Sequence, residues 1–153
     1  MAQILIRPME DRDKATVSRM MHDLWRIHAA KSRYVSKRYL DNVNARKEMR
    51  KRNQIFIVAE ADGKVVGYAH LSVSKFSNFF TFKKIIYLDE IYVSKRYRGI
   101  GVGKALLKET KRIAWKKDLH IMTTIWPFST SMKRLFSEAQ YVREAHLLLR
   151  EFK

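Results

Sequence analysis

Two features of this 153-residue sequence could do chemistry: the glycine-spaced run Arg98-Gly99-Ile100-Gly101-Val102-Gly103-Lys104, and the adjacent acids Asp89 and Glu90. Glycines at this spacing let the backbone amides of a turn converge on an anion, because no Cβ blocks the approach. If the turn also opens a helix, the first-turn amides lack partners and the helix dipole adds partial positive charge, which suits a pyrophosphate. Arg98 and Lys104 add full charges beside it. A carboxylate such as Asp89 or Glu90 can take the proton that an attacking amine must lose. Neighbours on a strand point to opposite faces, so only one of these two acids is expected to face a reacting group.

A glycine triplet alone is a weak signal, and its surroundings must raise it. A dinucleotide fold places its glycines after an early strand and follows them with an acid about 20 residues on, and this chain meets neither condition well. A Walker-type loop needs Ser or Thr after the final Gly-Lys, whereas Gly103-Lys104 is followed by Ala105. The absence of cysteine excludes disulfides, thiolate metal sites and a cysteine nucleophile. His22, His28, His70, His120 and His146 show no paired ligand spacing, so no metal is expected. Trp25, Trp115 and Trp126 read as core or interface residues.

The elements that must position these residues alternate in type. Ile4 to Arg7 reads as a strand stopped at Pro8, followed by a helix to about residue 30 with Val17, Met20, Met21, Leu24 and Ile27 on one face. A more polar helix is predicted from Lys37 to Lys51. Gln54–Glu60 and Lys64–Val73 read as antiparallel strands joined at Asp62-Gly63, a hairpin signal. Phe76, Phe79, Phe80 and Phe82 interleave with Lys75, Lys83 and Lys84 in a loop, a mixture that suits base stacking, an apolar lid or a dimer contact. Ile85–Val93 is the strongest strand and leads through the glycines into a helix. A strand from His120 to Trp126, a helix capped by Ser129 or Ser131 and ending near Glu138, and a strand within Tyr141–Phe152 complete the order β-α-α-β-β-β-α-β-α-β, a mixed α/β sandwich.

Composition bounds the partners. One domain over residues 1–153 is expected from length, with 46% hydrophobic residues to build its core. The start of the chain lacks a signal-peptide pattern and no apolar run reaches membrane-spanning length, so a cytoplasmic protein without membrane partners is expected. The net charge of +17 attracts polyanions, whether nucleic acid or a cofactor phosphate, without choosing between them.

The Arg98–Gly103 run, directly after the strand ending Ile91-Tyr92-Val93, resembles the central motif of the GNAT acetyltransferases. The longer Tyr87–Gly99 stretch is similar to their diamine and polyamine branch. The resemblance implies a splayed sheet, with acetyl-CoA as donor and no metal. It also implies that backbone groups of Ile91 and Val93 pair with the pantetheine arm and that the amides from Gly99 to Lys104 hold the pyrophosphate. The acceptor would be a polyamine, another small amine or a protein amine, attacked directly without a covalent enzyme intermediate, and Asp89 is favoured as base by the same analogy. A homodimer is also implied. In place of the family's usual tyrosine and asparagine the chain carries Phe136 and Ser129, and phenylalanine cannot protonate a departing thiolate; water, Tyr141 or a serine would have to serve, unless the thiolate leaves unaided. Two rival readings follow: a basic nucleic-acid-binding module, and a CoA-binding fold without activity.

Overall fold

The computed structural model describes residues 3–75 and 81–142. Its centre is a five-stranded sheet in the order β1-β2-β3-β4-β5, formed by β1 (Ile4–Pro8), β2 (Gln54–Ala61), β3 (Lys64–Lys75), β4 (Lys84–Val93) and β5 (His120–Thr123). The first four strands pair antiparallel in sequence order, whereas β5 joins β4 in parallel. The hairpin between β2 and β3 turns where Asp62 and Gly63 both take positive φ, 49° and 73°, as a two-residue turn matched to strand twist requires.

Helices cover both faces. On one side α4 (Val102–Lys116) and α5 (Thr130–Glu138) pack Leu106, Leu107, Ala114 and Phe136 against Ile57, Ala69, Leu71, Ile86 and Leu88. On the other, α1 (Lys14–Lys31) and α3 (Ala45–Glu48) bring Val17, Met20, Met21 and Ala45 onto Phe56, Val58 and Tyr68. Residues 17, 20 and 21 recur at helical spacing, which is why α1 buries this stripe. Arg7 on β1 ties the start of α1 to the sheet, donating to Asp13 at 2.6 Å and Glu60 at 2.7 Å.

Several boundaries differ from expectation. The helix predicted over 37–51 is two helices, α2 (Lys37–Asn42) and α3. Asn44 interrupts them by taking extended backbone angles and capping α3, its side chain accepting from the Lys47 amide. Strand β5 stops at Thr123 rather than Trp126. Trp115 is 82% exposed and so belongs to no core. The strand expected within 141–152 falls largely, and the loop phenylalanines 76, 79 and 80 wholly, outside the described residues. Phe82 rests on His120 with ring centroids 4.7 Å apart.

Candidate active site

The sheet opens in the middle of β4. Its pairing with β5 runs from Ile85–His120 to Leu88–Thr123 and ends there. The Thr123 hydroxyl closes the last pair by donating to the Leu88 carbonyl at 2.9 Å. From Asp89 to Val93 the strand therefore has β3 on one side and, among the described residues, no strand on the other. Ser94 N–H donates to Val66 C=O at 2.9 Å. By the two-residue period of an antiparallel ladder, Tyr92 likewise faces β3, while Ile91 and Val93 turn their backbone groups to the open edge. One of these is already engaged: the Arg98 side chain donates to the Val93 carbonyl at 2.8 Å.

The point of opening is also a β-bulge. His70 pairs with Glu90 and Leu71 with Leu88, so Asp89 has no partner on β3. An extra residue reverses the alternation beyond it. Ile86 and Leu88 pack into the core under α4, and so do Ile91 and Val93, although their numbers differ in parity. The expectation that Asp89 and Glu90 face opposite ways is overturned. Both project to the α1 side, where the Ser72 hydroxyl bonds Asp89 and Tyr68 bonds Glu90.

The two carboxylates differ in constraint. Glu90 accepts from the Tyr68 hydroxyl at 2.7 Å through Oε2 and from the Trp25 indole N–H through Oε1. Burial pushes its carboxyl above the usual range, against the pull of these two donors, and the nearby charge of Asp89 raises it further. Asp89 is exposed at the mouth of the opening, yet protein surrounds it closely enough that desolvation raises its carboxyl too, with Ser72 opposing. Tyr68 is fully buried, and its hydroxyl needs the Glu90 oxygen as partner. His70 stacks on Phe56 at 4.1 Å, contacts Gln54 through Nε2 and leaves Nδ1 unpartnered among the described residues. Burial pushes its imidazole down to about 4.

The glycine run forms the turn into α4. Gly99 and Gly101 take φ of 82° and 95°, and no atom would lie within 4 Å of a Cβ at either. Their requirement for glycine is thus conformational, and the space beside them is open. Gly101 is the N-cap and makes no side-chain cap, so the amides of Val102, Gly103 and Lys104 point out of the helix end without intrahelical partners. Ile100 is 54% exposed, whereas Val102 is buried in the core. Gly103 lies against Leu135 and Val93. Neither cation hovers over the cradle: Arg98 bonds Val93 and lies 5.7 Å from the Tyr92 ring, and Lys104 pairs with Glu138 at 2.8 Å. Lys104 and Arg134 hold the Glu138 carboxyl down at about 2.

Ser129 stands at the N-cap of α5, where its hydroxyl makes no capping bond. Phe136 is buried in the core and meets Tyr141 edge to face at 4.9 Å. The Tyr141 hydroxyl is buried without a partner among the described residues, and desolvation pushes it up to about 12, so it is protonated at neutral pH. Sequence reasoning missed Tyr68, Ser72 and the role of Trp25. Tyr68 and Ser72 flank His70 at strand spacing, but only the bulged register puts them beside the two acids. Gly67 was missed as well: a Cβ there would lie 2.7 Å from the Tyr92 carbonyl oxygen, so the close approach of β3 to β4 depends on it.

Among solved structures, a tetramutant of the BH1408 protein from Bacillus halodurans is 14% identical, with a TM-score of 0.83 over 97% of this chain and 99% of that one. The aminoglycoside N-acetyltransferase AAC(6')-Iy, in complex with CoA, is 17% identical, with a TM-score of 0.76 over 100% of this chain and 97% of its own. These likenesses show the fold. A human spermidine/spermine N(1)-acetyltransferase-like protein 1 is 29% identical over 77 residues, which are 46% of this chain and 11% of that much longer relative. Residues 17–139 match the acetyltransferase (GNAT) family. That span holds the opened strand, both acids, the glycine turn and α5, and the chain belongs to the GNAT acetyltransferase family.

Proposed function

We propose that the protein moves the acetyl group of acetyl-CoA to a primary amine by direct attack in a ternary complex. The observation that supports this best is a coincidence on β4: pairing with β5 ends, a backbone edge opens, and two carboxylates emerge at the same residues. An unpaired strand edge offers amides and carbonyls to an extended amide-bearing chain, so Ile91 and Val93, flanking Tyr92, would bind the pantetheine arm. The amides at the start of α4, from Gly101 to Lys104, would take the pyrophosphate, with Gly99 and Ile100 shaping the approach. Arg98, Lys104 and Ser129 would complete the binding surface, Lys104 by exchanging its partner Glu138.

The cofactor supplies an activated thioester. The neutral amine forms the new C–N bond at its carbonyl carbon, the C–S bond breaks, and the electron pair leaves on sulfur. Asp89 takes the amine's proton: it stands at the mouth of the opening, and among the described residues one side chain, Ser72, bonds it. Glu90 serves as a fixed anion that draws the cationic acceptor in, since both its oxygens are already held. Spermidine, spermine and aminoglycosides, named for two of the similar proteins, are polycationic amines, and a carboxylate pair suits that class. Phe136 supports a second reading, a fold that binds CoA without turning it over.

Both are tested by following thiol release from acetyl-CoA with polyamines, aminoglycosides, amino acids and peptide N-termini, beside calorimetry of acetyl-CoA binding. Turnover with a polycationic amine is the expected result. Tight binding without thiol release from any acceptor would favour the second reading, and no binding would remove both.

A further inference from the structure

The net charge of +17 is unexplained by one cofactor, and part of it is organised. At 100° per residue, Lys104, Lys108, Lys111, Arg112 and Trp115 fall within roughly 100° of the α4 circumference, and all five are exposed. The buried residues Val102, Leu106, Leu107, Thr110 and Ala114 occupy the opposite side. From Lys104 to Trp115 the stripe runs about 16 Å at 1.5 Å per residue, leading away from the cofactor cradle. Charge on it is incompletely neutralised. Lys104 meets Glu138, and Arg112 meets Glu109 at 2.7 Å, but Lys111 bonds the Ala139 carbonyl at 2.7 Å and lies 5.7 Å from the Tyr141 ring, with no carboxylate partner among the described residues. Lys108 makes no ion pair among the described residues.

We propose that this face of α4 docks a single-stranded nucleic acid, with the cations on its phosphates and Trp115 stacked on a base. Phosphate neutralisation by Lys and Arg supplies affinity, and an exposed flat ring beside the track adds stacking that any base can satisfy. The other occupants fit less well. A second copy of this chain would set like charge against like. An anionic membrane rewards a helix with a broad apolar face, and that face of α4 is committed to the core, leaving only Trp115 to insert. Lys104 at the near end of the stripe is shared with the proposed cofactor surface, whereas Lys108, Lys111, Arg112 and Trp115 take no part in the proposed acetyl transfer.

The test is fluorescence anisotropy of a labelled 16-residue oligouridylate across a salt series, without acetyl-CoA, so that a failed acetyltransferase reading would not affect it. Trp115→Ala, at a site 82% exposed and therefore without a folding cost, should weaken binding about 5- to 150-fold, the range for a lost base stack. Lys108→Gln with Lys111→Gln should reduce the slope of log K against log salt by about 1.4, at roughly 0.7 per phosphate contact. The same charge removal at Arg19 and Lys64, away from α4, should change binding less. Equal losses from the two pairs, unchanged binding by Trp115→Ala, or equal affinity for polyglutamate would overturn the proposal. So would a Trp115→Ala defect confined to phosphatidylglycerol vesicles.

Discussion

The two faces of the sheet are built from different materials. Under α4 the core is mainly aliphatic, with Ile57, Ala69, Leu71, Ile86, Leu88 and Leu106 buried together beside Phe136, and Tyr97 and Tyr141 packed at its edge. Under α1 it is richer in methionine and aromatic rings, with Met20, Met21, Phe56 and Tyr68 beside Val17, Ala45 and Val58, and with His70 and Glu90 at its margin. On the proposed function, the donor side would work mainly through backbone shape: a glycine turn, a helix end and an open strand edge. The acceptor side would work through side chains, by their protonation and hydrogen bonds. Substitutions on the first should change binding of acetyl-CoA, and those on the second should change turnover and pH dependence.

The largest effect tests the donor half. Gly101→Glu adds a side chain at φ of 95° in open space next to the helix end, placing a carboxylate where a pyrophosphate would lie. Calorimetry should show acetyl-CoA affinity reduced by roughly 100-fold or more, equivalent to about 2.7 kcal/mol. The strain of a left-handed residue costs only about 1–2 kcal/mol, so the fold should survive. Undiminished affinity in a folded variant would break the division between the faces at its firmest point.

Next come the acids. Asp89→Asn keeps size and removes the proton acceptor, so kcat should fall by about 10²- to 10⁴-fold with acetyl-CoA affinity unchanged. Glu90→Gln should chiefly raise KM for a polycationic acceptor. It should also leave stability unchanged or higher at neutral pH. Because the folded-state carboxyl of Glu90 is raised, its contribution to stability is present at low pH and lost as pH rises through that raised value. A larger kcat loss in Glu90→Gln than in Asp89→Asn would exchange the two roles.

A smaller effect separates the faces by pH. His70 titrates near 6.5 when unfolded and near 4 when folded, so the unfolded state takes up its proton first. Stability present above pH 6.5 should be lost as pH falls toward 4, by up to roughly 3 kcal/mol from this residue. Urea unfolding of His70→Gln should lack that part of the decline. If the two proteins decline in parallel, burial of His70 does not set the acid limit.

Element order, the hairpin at Asp62-Gly63 and the glycine turn into α4 could be read from local pattern because each is fixed by nearby residues. The bulge could not. Nothing in Leu88-Asp89-Glu90-Ile91 marks an extra residue, and it becomes visible only when hydrophobic residues at 86 and 88 and then at 91 and 93 are required to share one core. Strict alternation therefore separated two acids that the sheet places together. Asn44 shows a related failure: the polar helix read across it lacked a strong apolar stripe to reveal where packing, rather than propensity, ended one helix and began another.

The subtlest change tests whether Trp25 positions Glu90 or merely fills space. Trp25→Phe retains an aromatic ring beside the α1 core but removes the indole N–H that bonds Glu90. A hydrogen bond to the charged form lowers a carboxyl's pKa, so its loss should raise Glu90 above its already elevated value. The carboxylate would then be lost at a higher pH on acidification. KM for a cationic acceptor should begin to rise at that higher pH, and the Tyr68 hydroxyl, still bonding the other oxygen, limits the shift. Above that limb kcat should stay within about fivefold of the parent, because a neutral donor lost from one oxygen removes about 1 kcal/mol or less. A packing defect alone would lower stability without moving the KM limb. If instead kcat falls in parallel at every pH, Glu90 acts on the reacting amine itself, and the acceptor face uses its buried acid rather than its exposed one for proton transfer.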